Sequence, residues 1–249
     1  MLRIAARLPP GALVGGEDAL LAAAMLDSGG ARFVAREADL VRTEGRITGW
    51  RDSVLDVEAK ASVPNTGHSR FEAGPPGAMV CQDGQNCGFT LPGFTPGVEA
   101  FTVAIIYRSQ GEARTLASIS TGQANNMIFL AEAEGRVLAK DRAGSVEVAL
   151  PLVPGPRAKL VILDFDGRSL RLEMDGRTAE VAAIKVPGLA HQADFFIGCR
   201  SNRAGLAKTL GQSRLHEVLF WPDRALLGTQ EPEDRAALEA LRRHYRWDY

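Results

Sequence analysis

Between Ala158 and Ala183 the chain spells out a three-stranded antiparallel meander. Val161, Leu163 and Phe165 alternate with Leu160, Ile162 and Asp164. After Asp166-Gly167, Leu170, Leu172 and Met174 alternate with Arg171 and Glu173. After Asp175-Gly176, Ala179, Val181 and Ala183 continue the pattern. Alternation of period two sorts side chains onto opposite faces of a pleated strand. Asp-Gly between two such runs predicts a tight type I′ hairpin turn, whose two central residues take positive φ. A chain built around this stretch is committed to antiparallel sheet.

The last forty-odd residues add a second constraint. Leu215–Trp221 is apolar on both faces, with Leu215, Leu219 and Trp221 expected on one and Val218 and Phe220 on the other. Such a strand needs cover on both sides. The helix after it starts near Pro232, which suits a first-turn position because its missing N–H has no helical partner there. Glu231, Glu233 and Asp234 lie at the positive end of the helix dipole, and Arg242, Arg243, His244 and Arg246 at the negative end. Leu238, Leu241 and Tyr245 share a face, so the helix docks on the sheet.

The remaining strands are short and separated by Gly, Asn and charged residues. They are Arg32–Val34, Asp39–Trp50 turned at Gly45, Ala78–Cys81, Gly88–Leu91, Phe101–Arg108, Leu116–Ser120, Met127–Ala131, Val137–Lys140, Val146–Leu150 and Phe195–Cys199. Arg51–Gly77 reads as loop. Ala78–Cys81 and Gly88–Leu91 are expected to pair around Asp83-Gly84. Roughly a dozen strands at this spacing predict an all-β, two-sheet antiparallel β-sandwich. Residues 1–30, rich in Ala, Leu, Gly and Pro, stand apart as an N-terminal arm with a short helix over Asp18–Asp27 ended by Ser28-Gly29-Gly30. Such an arm either packs on its own domain or assembles with another subunit. Residues 31–249 form the sandwich domain.

Composition excludes several classes. With 29 basic and 30 acidic residues and a net charge of −1, bulk charge does not direct the chain to nucleic acid or anionic membrane. Mean hydropathy is −0.07, and no apolar run approaches the roughly 20 residues that span a bilayer. The first residues, broken by Pro9-Pro10 and several glycines, do not read as a secretory leader, so the chain is expected to be made and folded in the cytoplasm. Of the three cysteines, Cys81 and Cys87 are expected as reduced thiols on neighbouring strands rather than a bridge, and Cys199 as a small buried hydrophobe.

The order of features resembles a known superfamily. DGQNCGFTLPG precedes FTVAIIYRS, the meander follows, and then come FFIGCR, a polar loop and GQSRLHEVLFWPDRAL with its closing helix. This is similar to the concanavalin A-like lectin/glucanase jelly roll, in its laminin-G-like branch, over about residues 35–247. Glu217, Phe220-Trp221, Asp223-Arg224-Ala225-Leu226 and Trp247 stand where that pattern places them. The resemblance implies a lectin-like body of the kind found in fibres, spikes and decorations of phage and phage-like particles. It also implies cell-surface polysaccharide as ligand, other particle subunits as partners through the arm, a homo-oligomer, and a place on a virion or particle surface. Calcium held by loop oxygens is the cofactor the resemblance brings to mind, with Asp141, Asn125, Asn126 and Asn202 as candidates, although no dense Asp-x-Asp-x-Asp loop exists.

Catalytic motifs are absent. The glucanase pattern Glu-x-Asp-x-x-Glu sets two carboxylates about 5 Å apart for a retaining mechanism. Its nearest match, Glu173-Met174-Asp175, ends on Thr178 and is broken by Gly176, which leaves Glu173 as a solvated hairpin residue. Glu132-Ala133-Glu134 fails likewise, and His216 and Glu217 read as structural. No Gly-x-Ser-x-Gly, His-Glu-x-x-His or Walker loop is present. The expectation is a non-enzymatic binding or structural module. Sugar recognition would fall on the rim loops, at Asn125, Asn126, Asp141, Arg142, Arg200, Asn202 and Arg203. Trp50, Trp221 and Trp247 read as core or strand-end residues, and Phe94 as an exposed aromatic.

Overall fold

The computed structural model describes residues 16–95, 99–123, 126–182, 192–203 and 207–249. The strands in chain order are β1 (Ala31–Val34), β2 (Leu40–Thr43), β3 (Arg46–Arg51), β4 (Glu58–Ala61), β5 (Arg70–Glu72), β6 (Ala78–Cys81), β7 (Phe89–Thr95), β8 (Phe101–Ser109) and β9 (Ala117–Ser120). They continue with β10 (Met127–Ala133), β11 (Arg136–Asp141), β12 (Glu147–Pro151), β13 (Lys159–Phe165), β14 (Ser169–Met174), β15 (Arg177–Ala182), β16 (Ala193–Ile197) and β17 (Ser213–Trp221). Helix α1 spans Glu17–Ser28 and α2 spans Pro232–Asp248.

All pairings are antiparallel and form two sheets. One has eight strands in the order β15-β14-β13-β8-β17-β6-β5, with β1 added on β17 beside β6. The other has nine, in the order β12-β11-β10-β9-β16-β7-β4-β3-β2. The facing surfaces form one buried core. Phe195 of the nine-stranded sheet stacks on Phe220 of the eight-stranded one, with ring centroids 4.0 Å apart, and Trp50 takes edge contacts from Phe33 and Phe89. The protein is therefore a two-sheet antiparallel β-sandwich, as the alternation predicts.

The helices cover the outer face of the eight-stranded sheet. Leu21 and Met25 of α1 and Leu238 and Leu241 of α2 join Ile106, Leu160, Leu219 and Trp221 in a second buried cluster. Helix α1 ends at Gly29, whose φ of 71° allows its N–H to reach Leu26 O while the Gly30 N–H reaches Met25 O. Next to this end the Trp221 indole donates to Ser28 Oγ at 2.9 Å. So the described part of residues 1–30 packs on its own domain; residues 1–15 lie outside the described residues.

Four local expectations give way to the structure. First, Arg51–Gly77 contains β4 and β5 rather than loop alone. Second, β6 and β7 do not form a hairpin. The first pairs with β17 and β5, the second with β4 and β16, so the connection crosses from sheet to sheet. Asn86 Oδ1 accepts from Ser62 Oγ and Gly88 N and holds the crossing. Cys81 ends β6 and Cys87 lies in the connection before β7, and all three cysteines are free and buried. Third, only Asp175-Gly176 of the two meander turns has both residues at positive φ (51° and 76°). Asp166 instead caps a longer turn, its carboxylate accepting from the Arg168 and Ser169 N–H groups. Fourth, Leu215 lies in the central core with Val218 and Phe220 rather than with Leu219 and Trp221. A bulge between Leu215 and Glu217 shifts the register there and turns both His216 and Glu217 to the helix side.

Candidate functional site

On the outer face of the nine-stranded sheet several of the expected rim residues meet. Asp194 of β16 and Met127 of β10 both register on Ser120 of β9, so the three form one row across adjacent strands. Two residues on, Phe196 registers on Ser118. The chain after β11 brings Arg142 over this row through a backbone bond from its N–H to Met127 O at 3.2 Å. The segment after β16 brings Ser201, Asn202 and Arg203. Together with Gly122 and Gln123 these residues enclose a cavity of about 210 Å³. Met127 and Phe196, both buried, form its floor.

Polar groups ring that floor. Asp194 Oδ1 accepts the Gly93 N–H at 2.8 Å, and Asn202 Oδ1 accepts the Val63 N–H at 3.1 Å, which ties its loop to the β4–β5 connection. Among the described residues, no ion pair involves Arg142 or Arg203, and Asp194 shares their cavity. Arg200 lies beside the cavity, its guanidinium 3.8 Å from the centre of the Phe129 ring and its Nε donating to Thr115 Oγ1 at 3.0 Å. Burial, and then the neighbouring Arg142 charge, push its pKa down to about 10.

The expected residues thus divide. Arg142, Asn202 and Arg203 line the cavity. Arg200 supports it from the side, covering an apolar patch of Met127, Phe129, Ala131 and Leu138. Asn126 sits in the turn before β10, where its carbonyl accepts the Thr121 N–H at 3.2 Å. Asn125 lies outside the described residues. Asp141 lies outside this lining: its carboxylate accepts the N–H groups of Ser145 and Val146 and the Ser145 hydroxyl and closes the β11–β12 turn. No group of three or more His, Cys, Asp or Glu side chains suited to a metal occurs among the described residues.

Asp194 and Phe196 were not among the expected site residues, although ADFFIG carries a signal. An acid interrupting an apolar strand marks the face that is not core. Two aromatic expectations also change. Phe94 is half-buried and packs on Phe220, centroids 5.8 Å apart, whereas Trp247 is 77% exposed.

The acidic residues weighed as catalytic are held by partners. Glu173 is buried and takes a two-pronged ion pair from Arg242 at 3.0 and 2.6 Å, so it is not a solvated hairpin residue. Glu132 accepts from Tyr107 OH at 2.8 Å beside Lys159. Glu217 accepts from Arg32 Nε at 2.9 Å, Tyr249 OH at 2.7 Å and faces His244 Nε2 at 2.6 Å. Burial pushes the Glu217 carboxyl up, but these partners outweigh it and hold it below the usual glutamate range. A roomier groove of about 800 Å³ between the 153–158 segment, the β14–β15 turn and α2 is lined by Glu173 and Asp175 and by none of the expected rim residues.

No protein-family model matches the chain, and no curated protein does. Its fold does have solved counterparts. Domain 4 of AbnA, a GH43 extracellular arabinanase from Geobacillus stearothermophilus in complex with arabinotriose, is 15% identical with a TM-score of 0.57, over 83% of this chain and 97% of that one. Trypanosoma rangeli sialidase in complex with sialic acid is 14% identical with a TM-score of 0.56, over 83% of this chain and 32% of that one. A mutant GH54 α-L-arabinofuranosidase is 10% identical with a TM-score of 0.55, over 78% of this chain and 51% of that one. The chain spans about a third of the sialidase and half of the arabinofuranosidase. At such identities the likeness is one of fold, a two-sheet β-sandwich.

Proposed function

We propose that this protein is a non-catalytic glycan-binding module and that the cavity between Arg142, Asp194, Asn202 and Arg203 is its sugar site. The observation that carries the reading is the cavity's make-up. It has a small apolar floor of Met127 and Phe196, a ring of planar polar side chains, and two guanidinium groups without an ion-pair partner among the described residues. A pyranose offers one C–H face and several hydroxyls, which such a lining complements. The volume of about 210 Å³ is some seven times a water molecule's share of the liquid, which suits one sugar ring. The unpaired arginines favour a sugar bearing a carboxylate or sulfate.

The fold supports the reading to the extent that its counterparts include an arabinotriose complex and a sialic acid complex. Against a hydrolase, Glu132, Glu173 and Glu217 are each held by a cation, Lys159, Arg242 and Arg32 respectively. The setting we propose is the surface of a phage-like particle, with host-surface polysaccharide as target and a homo-oligomer as the working form. Mass spectrometry of purified particles tests the setting.

The site is tested by a glycan array that includes acidic polysaccharides, followed by calorimetry. Arg142→Ala and Arg203→Ala should each weaken binding about tenfold or more, in keeping with a charge-assisted hydrogen bond of roughly 1.5–3 kcal/mol, while Asp141→Asn leaves affinity unchanged. Full affinity in both arginine variants would sink the assignment.

A further inference from the structure

A second cavity, of about 690 Å³, opens on the opposite side of the sandwich, against the helix-bearing sheet. Its walls come from the Ala35–Glu37 segment, Phe71, the Gly74–Gly77 segment, the bulged residues His216 and Glu217, and the last turn of α2 with Trp247. None of its residues lines the first cavity.

Two carboxylates of this cavity are firmly paired. Glu217 is held by Arg32, His244 and Tyr249, and Asp18 pairs with Arg36 at 2.8 Å and with Arg32 at 2.7 Å. Two buried ring nitrogens in the lining make no hydrogen bond, His244 Nδ1, which has Asp248 Oδ2 at 2.6 Å, and His216 Nε2. His216 is 2% exposed, and its Nε2 has no hydrogen-bond partner. Its Nδ1 lies 2.7 Å from Gly77 O. A carbonyl only accepts, so Nδ1 carries the hydrogen and Nε2 presents a bare lone pair. Burial holds the imidazole below its usual range, which keeps that lone pair free at neutral pH. A buried acceptor left open costs free energy until a donor meets it.

At the mouth stands Trp247, 77% exposed, while Trp50 and Trp221 are 0% exposed. Pro75, Pro76 and Phe71 supply further apolar wall. The cavity thus offers an aromatic face and an unfilled acceptor at His216 Nε2, and its carboxylates, Asp18, Glu37, Glu217 and Asp248, outnumber its one arginine, Arg36.

We propose that this cavity is a second saccharide site that takes a neutral sugar, stacked on Trp247 with one hydroxyl donated to His216 Nε2. An acidic sugar would lose solvation without gaining a counter-ion there. The two sites face opposite ways, so the assignment does not depend on the first cavity.

The test uses the full chain and five probes: maltotriose, cellotriose, galactobiose and arabinotriose as neutral sugars, and trigalacturonate as the acidic one. Tryptophan emission follows each titration, since Trp247 is the one indole of the three open to solvent, and calorimetry gives affinity. At least one neutral probe should shift the emission saturably. Trp247→Ala, a change at an exposed position that leaves the melting temperature in place, should weaken that probe about tenfold, and His216→Ala should weaken it severalfold. Arg142→Ala should have no effect on it. Silence with all four neutral probes would overturn the proposal. So would unchanged affinity in Trp247→Ala, or tighter binding of trigalacturonate that Trp247→Ala weakens.

Discussion

Asp164 illustrates how one buried side chain sets a pH response. It is fully buried on β13 and gathers three elements: its Oδ2 accepts from Thr102 Oγ1 at 3.0 Å and from the Leu227 N–H at 2.9 Å, and Arg171 lies at 3.3 Å from Oδ1. Burial outweighs these partners and raises its pKa from 3.8 to about 6. The folded state therefore binds its proton more tightly than the unfolded chain does. Its contribution to stability is full below about pH 4 and is lost as pH rises through about 6, by up to roughly 3 kcal/mol for a shift of this size. Urea denaturation between pH 4 and 7 should show this decline, and Asp164→Asn should flatten it. A slope unchanged in the variant would assign the effect elsewhere. In the sequence Asp164 is legible as one of the outward-facing set with Leu160 and Ile162. Its partners are not, because Thr102 and Leu227 each lie about sixty residues away along the chain. Trp247 was missed for a related reason. Helical spacing gives a residue's direction, but not whether a neighbouring element covers it.

At the level of elements, the alternating runs and the helix signals translate directly into structure. The meander, the β2–β3 turn at Glu44-Gly45 and both helices lie where local pattern places them. Pairing between elements is less legible. A bulge changes no propensity that a reader can see, yet the one at His216 moves Leu215 into the core and turns two consecutive polar residues to the helix side. The β6–β7 connection has the composition of a hairpin turn but passes between sheets, a choice made by Ser62 and Asn65 in a loop some twenty residues upstream. Helix α1 is weakly amphipathic on its own, and its stability comes from docking. Leu21 is 0% exposed against the α2 cluster. Leu21→Ala should cost about 2–5 kcal/mol, and hydrogen exchange should quicken across Glu17–Ser28 before it does in β8 or β13. Uniform protection across the variant would mean that α1 is held by other contacts.

For the molecule as a whole, the two sheets are joined through aromatic contacts near the centre of the core. Phe220 touches both Phe195 and Phe94 of the opposite sheet. Phe220→Ala should cost about 3–5 kcal/mol and lower the melting temperature while the transition stays single, since one continuous core serves both sheets. Two separate transitions would show that the sheets unfold independently. The sequence reveals this architecture because every strand must hide one face and turn the other, and that rule is written locally. It conceals the cavities because each is assembled by segments from distant parts of the chain: Ser120, Arg142 and Asn202 in one, Ala35, His216 and Trp247 in the other.

The position of β17 has a consequence for how this molecule comes into being. It lies between β8 on one edge and both β1 and β6 on the other, so the middle of its sheet is filled by a strand made after every other described strand. Phe33 meets Val218 across that junction, a partner nearly the whole chain away. Until residue 221 has left the ribosome, β1 and β6 have an open edge in place of a neighbour, and the apolar sides of β8 are uncovered. Folding of such a long-range topology is slow, and nascent chains with unpaired strand edges attract chaperones and one another. Completion of this sheet therefore waits on the nine residues of Ser213–Trp221, and chaperone capture of ribosome-bound chains should fall once they emerge.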